Sequence, residues 1–158
     1  MARMFTGFAE RAILAAVRQN ASRVTVPAAL HLDVRLAPGR AAFNRGEFFA
    51  AHELWETVWL ELAGGAVHAG DAVHAGDAAQ DRLLVQGLIQ IAAGLHHAQQ
   101  GRTRPAARLL ARGASKLARD MRTSATTLPI AALVRDVARL RAALEAPGAA
   151  PDLGAVRF

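Results

Sequence analysis

The stretch Ala42-Phe-Asn-Arg-Gly-Glu-Phe-Phe-Ala-Ala-His-Glu-Leu-Trp-Glu-Thr-Val-Trp59 decides how this chain is read. Its apolar residues recur at helical spacing, which predicts a helix over about Glu47–Ala63, ended by Gly64-Gly65. At 100° per residue, Phe48, His52, Trp55, Glu56 and Trp59 fall within one narrow stripe, with Phe49 at its edge. Glu53 sits on the flank, and Ala50, Leu54, Thr57 and Glu61 lie opposite. Burying an ionised group without a partner costs several kcal/mol. His52 and Glu56 therefore need partners elsewhere in the fold, or they form the wall of a site. Four residues apart, their side chains can meet, either to orient the imidazole or to offer nitrogen and oxygen ligands to a metal.

Outward from this segment, the next periodic stretch predicts a second long helix over about Ala79–Gln100, with Gly101 as its stop. Arg82, Gln86, Gln90, Ala93, His97 and Gln100 form one stripe on it, and the rest of its circumference is apolar. Alone, such a stripe is the solvent face of an otherwise buried helix. Set against the first helix, its two glutamines and histidine supply the partners that His52 and Glu56 need. Two versions stay open. His52-Glu53-x-x-Glu56 is a variant of the His-Glu-x-x-His zinc pattern, and His52, Glu56 and His97 would then hold a divalent metal. Otherwise the same groups form a fully hydrogen-bonded buried network. Phe43, Phe48, Phe49, Trp55 and Trp59 are core candidates by spacing, with Trp55 and Trp59 also able to line a pocket. Asn44 is a cap or turn residue before Gly46.

The rest of the chain reads as all-α: a single-domain bundle of five or six helices. A first helix is expected over about Thr6–Ala21, then an extended connector over Ser22–Leu36, then a short helix from Pro38 through Asn44. Thr103 and Pro105 open a helix to about Arg122, and Thr127 and Pro129 open a last one to about Glu145. The expected division is residues 1–39 as N-terminal helix and connector, 40–146 as helical core, and 147–158 as a flexible tail. Ala66-Val-His-Ala-Gly-Asp71 is repeated as Ala72–Asp77, which reads as an insertion into a surface loop; His68 and His74 are copies within it.

Composition narrows the function classes. The 158 residues contain no cysteine, which excludes disulfides, thiolate metal sites and cysteine nucleophiles. No apolar run is long enough to span a membrane, and the N-terminus does not read as an export signal, so the expected compartment is the cytoplasm. Self-association is expected from the apolar content. Residues 46–81 carry seven acids and no lysine or arginine, whereas residues 101–122 carry seven bases and one acid. The two segments are candidates to face each other. Arg104, Arg108, Arg112, Lys116 and Arg119 form a cationic ridge that reads first as a solvated face; nucleic acid is the competing partner. No interleaved aromatic platform supports the latter.

The chain resembles a family of small bacterial and archaeal proteins, domain of unknown function 309. The resemblance rests on Phe43–Trp59 and on Val85-Gln-Gly-Leu-Ile-Gln-Ile-Ala-Ala-Gly-Leu-His-His97, and covers about Arg40–Leu117. It implies an all-helical fold whose biochemical role is unestablished. It also implies recurring positions at Asn44, Gly46, His52, Glu53, Glu56, Trp59, Gln86, Gly87, Gln90 and His97. This chain departs from it in the duplicated loop and in Gly101-Arg102, where the family often has Gly-Asn. The resulting candidate site has His52, Glu53 and Glu56 as acid–base residues. Asn44, Trp55, Trp59, Gln86, Gln90 and His97 are its ligand contacts, and hydrolysis is the default reaction class. The competing readings are a helical scaffold with a structural polar network and a nucleic-acid-associated protein.

Overall fold

In the computed structural model, residues 28–66, 72–120, 126–146 and 151–158 are described. They form five helices and no strand: α1 (Ala28–Asn44), α2 (Phe48–Ala66), α3 (Ala72–Gln99), α4 (Thr103–Asp120) and α5 (Ile130–Glu145). A 3-10 turn, Leu153–Ala155, follows. The all-α bundle read from the sequence is the observed fold. The helix expected over Thr6–Ala21 lies outside the described residues.

α3 is the central element, packed between α2 and α4, with α1 against α2 and α5 against α4. Two glycine-ended turns connect the first pairs. Gly46 and Gly101 have φ of 80° and 72°, a region that a side chain disfavours. At the end of α1, Gly46 N–H bonds Phe43 O and Glu47 N–H bonds Ala42 O. At the end of α3, Gly101 N–H bonds Ala98 O and Arg102 N–H bonds His97 O. Both satisfy carbonyls left over at a helix end in the same paired way. The Gln99 amide donates to Gly46 O at 2.8 Å, so the two turns are tied together.

The stretch expected as a connector over Ser22–Leu36 is helical from Ala28, and Pro38 lies inside α1 rather than at its start. Pro38 has no N–H to offer Val34 O, but both Val34 and Pro38 are exposed, where water can take that role. Beside it, Gly39 is buried under the Trp55 indole: a Cβ there would lie 2.3 Å from Nε1. The indole N–H donates to Leu36 O at 3.2 Å. Tertiary packing thus overrides the local helix-breaking signal.

The second copy of the six-residue duplication is not loop. Ala72–Asp77 forms the first turns of α3, and Gly64-Gly65 falls within α2. The repeat unit is rich in alanine, which accounts for its tolerance of helix. Most of the first copy, residues 67–71, lies outside the described residues.

The last segment does not stand apart from the core. Val156 is buried, and the Phe158 ring packs at 5.2 Å from Phe43 and 5.9 Å from Trp55. Phe158 N–H donates to Asn44 Oδ1 at 2.9 Å, and the Arg157 guanidinium donates to Asn44 O. Within the segment expected as a flexible tail, residues 151–158 make these contacts, with Val156 buried and Phe158 half-buried; residues 147–150 lie outside the described residues.

Among the described residues, no ion pair joins an acid of α2 to a base of α4. α2 and α4 flank α3 on opposite sides. With packed helices 8–10 Å apart, their axes are separated by about 16–20 Å. Glu47 and Glu61 pair instead with Arg45 and Arg35, both at 2.7 Å.

Candidate functional site between α2 and α3

The buried line of α2 is Phe48, Ala51, Trp55 and Val58. Relative to the stripe drawn from the sequence, this line is turned toward α1. His52 and Trp59 sit half-buried at its edge, and Glu53 and Glu56 are exposed. The apparent burial of charge disappears: both carboxylates reach solvent, and no buried ion needs explaining.

The α2 edge and α3 enclose a pocket of about 180 Å³ lined by Phe49, His52, Ala93, His96 and His97. Phe49 stands between two imidazoles, stacked near-parallel on His52 at 6.3 Å and tilted against His96 at 5.3 Å. His52 Nδ1 lies 3.1 Å from Glu53 Oε1. His96 Nε2 lies 2.9 Å from the Gln100 amide nitrogen. His97 Nδ1 and Gln90 Oε1 are buried without a protein hydrogen-bond partner, as is Arg82 Nε. Buried polar atoms are ordinarily paired, so unpaired ones on one flank of one helix are unusual. At the far end of the groove, the Arg82 guanidinium lies 4.7 Å over the Trp59 ring, a cation–π contact.

The structure brings together some of the residues expected at a site. His52 and His97 share the pocket, and Glu53 and Glu56 stand at its rim. Gln86 and Gln90 are half-buried on the same flank of α3. Trp55 is 0% exposed, enclosed by Phe43, Gly39 and Phe158, which leaves it no surface for a ligand. Trp59 is occupied by Arg82, and the Asn44 side chain by Phe158. Among the described residues, the group able to hold a cation is His52, Glu53 and Glu56, whose donor atoms lie within 4.8 Å of one another. The expected third ligand His97 is replaced there by Glu53. His96 was not among the expected residues. It lies 100° around α3 from His97, off the polar stripe, and only the partner helix shows that this direction faces the pocket.

The fold has one further polar junction. Asp33 of α1 accepts from Thr126 Oγ1 at 2.6 Å, from Thr127 N–H at 2.9 Å and from the Thr127 hydroxyl. Partial burial pushes its carboxyl up, but these hydrogen bonds and the Arg40 charge outweigh that and hold it below its ordinary value.

No helix among the described residues is long and apolar enough to cross a membrane. No curated protein and no solved structure matches the chain. Residues 36–109, which run from the middle of α1 into α4 and contain the whole pocket, match the family model described as Domain of unknown function (DUF309).

Proposed function

We propose that the protein binds a small polar ligand in the pocket between α2 and α3, with the His52–Glu53 pair as its proton-exchanging group. The observation that carries this reading is the lining itself. Three imidazoles and one aromatic ring surround about 180 Å³, while His97 Nδ1 and Gln90 Oε1 on the adjoining flank are buried without a protein partner. An apolar wall with a few unsatisfied polar atoms is the usual makeup of a small-molecule site. Of these two residues His97 lines the pocket, and a ligand with a polar group at its ring satisfies Nδ1. His52 and Glu53 at 3.1 Å can take up or release a proton at such a ligand. Hydrolysis of the bound molecule is the default reaction class for such a pair.

The test is a screen of small polar fragments against the full chain, read by NMR on histidine-labelled protein. Hits are expected to shift the His52, His96 and His97 ring signals together, and to be lost in Ala93→Trp, which fills the pocket. Hits that leave these rings unmoved, or that survive Ala93→Trp, overturn the reading.

A second reading is supported by the 4.8 Å grouping of His52, Glu53 and Glu56: a divalent cation at the pocket rim, polarising a bound water. Calorimetric titration of the full chain with Zn²⁺ tests it. Stoichiometric binding abolished by His52→Ala and Glu56→Gln supports it, and binding unaffected by either change eliminates it.

A further inference from the structure

We propose that two copies of this chain associate through the open side of the α2–α3–α4 layer, about a twofold axis running parallel to α3. This does not rest on the pocket reading.

The open side is defined by three helical flanks. On α2, Phe49, Glu53, Glu56 and Leu60 follow one another at four, three and four residues, and all four are exposed. On α3, Leu83, Gln86, Gln90 and His97 share one flank. α4 buries Ala106, Leu110, Gly113 and Leu117 and carries Ala107 toward α5. The hand of the helix then leaves Arg112 and Lys116 on the flank that faces the same way as the groove. The opposite side of the layer is covered by α1, α5 and the final segment.

Two features of this face are unsatisfied within one chain. The first is apolar: Phe49, Leu60 and Leu83, on the α2 and α3 flanks just named, are 56%, 57% and 47% exposed. The second is electrostatic. Among the described residues, no ion pair reaches Arg112 or Lys116, the two cations of α4 on this face. The acids of the α2 flank are too far away across α3.

A second copy removes both deficits. Rotation about an axis parallel to α3 lays each α2 over the partner's α4 and keeps every residue at its own height along the helices. The heights agree. His52 shares its pocket with Ala93, and Gly87 and Ile91 meet Gly113, so Arg112 and Lys116 stand level with the Glu53–Glu56 turn. The twofold therefore sets two carboxylates over two cations, twice, with Leu83, Phe49 and Leu60 between them. The other in-plane twofold would set acid on acid and base on base. Such an interface is self-complementary, as a twofold dimer requires.

The experiment is sedimentation equilibrium of the full chain at micromolar concentrations and two salt levels. A dimer that weakens as salt rises is expected. A double variant Glu53→Arg/Glu56→Arg and a double variant Arg112→Glu/Lys116→Glu are each expected to dissociate at about tenfold or more higher concentration. Mixed one to one, they should restore dimer at the wild-type level, since each α2 then meets an opposite α4. Leu83→Glu, an exposed change near the axis, is expected to give monomer with unchanged helicity, and it serves if a charge-reversed variant fails to fold. A wild-type chain that stays monomeric at every concentration overturns the proposal, even if its ridge captures a nucleic-acid probe. Failure of the mixture to recover dimer, with both variants folded, overturns it equally.

Discussion

Asp33 shows how a single side chain can join distant parts of the sequence. It accepts three hydrogen bonds from Thr126 and Thr127, ninety-odd residues away, and so ties α1 to the approach to α5. Those bonds favour the ionised carboxylate, and its folded value lies below the ordinary one. The stabilisation is therefore fully present above the unfolded value, about 3.9, and is lost as pH falls through the lower folded value. Asp33→Asn should lower stability at neutral pH by about 1–3 kcal/mol, and the gap from wild type should narrow as the solution is acidified through that range. Urea unfolding at a series of pH values measures both, and a gap independent of pH would refute the assignment. None of this was legible in the sequence, where Asp33 sits in a stretch that reads as a connector. His52, Glu53 and Glu56 were legible as a group because helical spacing alone brings them together. His96 was not, because its direction matters only relative to another helix.

At the scale of elements, helical periodicity located α2, α3, α4 and α5, and glycine marked the ends of α1 and α3. The orientation of the α2 stripe was less accessible. Aromatic residues suggested a buried line through Phe48, Trp55 and Trp59, but the observed line runs through Phe48, Ala51, Trp55 and Val58. Ala51 and Val58 carry weak hydropathic signals, yet they fix the rotation of the helix. Small residues matter more at the α3–α4 crossing. A Cβ on Gly113 would lie 2.7 Å from Gly87 O, a backbone atom that cannot move aside alone. Gly113→Ala should therefore destabilise by about 1–3 kcal/mol through overpacking. Gly64 is also helical, but a Cβ there meets nothing within 4 Å among the described residues. Gly64→Ala should stabilise by about 0.5–1 kcal/mol, because alanine loses less backbone freedom on folding. Thermal unfolding of the two variants side by side checks the pair, and equal shifts would mean that close packing is not what the α3–α4 crossing requires.

For the whole molecule, the arrangement depends on which side of the α2–α3–α4 layer is covered. α1, α5 and residues 151–158 all lie on one side; α1 and the final segment converge on Trp55, whose indole is enclosed by Gly39, Phe43 and Phe158, while α5 meets the final segment at Asp152 and Ala155. That concentrates the core and leaves the pocket and its acidic rim on the uncovered side. The final segment is the part of this arrangement that the sequence concealed most fully. Pro147, Gly148 and Pro151 mark it as a tail, and its two anchors, Val156 and Phe158, are too few to show periodicity. The burial of Val156 and the packing of Phe158 on Phe43 and Trp55 are nonetheless a sizeable contribution, because a fully buried side chain of this kind contributes about 1.5–3 kcal/mol and Phe158 is half-buried. Removing residues 151–158 should therefore lower stability by about 2–4 kcal/mol, read by urea unfolding. The same truncation should raise the exposure of Trp55, read as a red shift of its fluorescence, while Trp59 stays beneath Arg82. Phe158→Ala should reproduce most of the spectral shift and only part of the stability loss. A truncated chain with unchanged stability and unchanged emission would show that the segment rests on the bundle without contributing to its core.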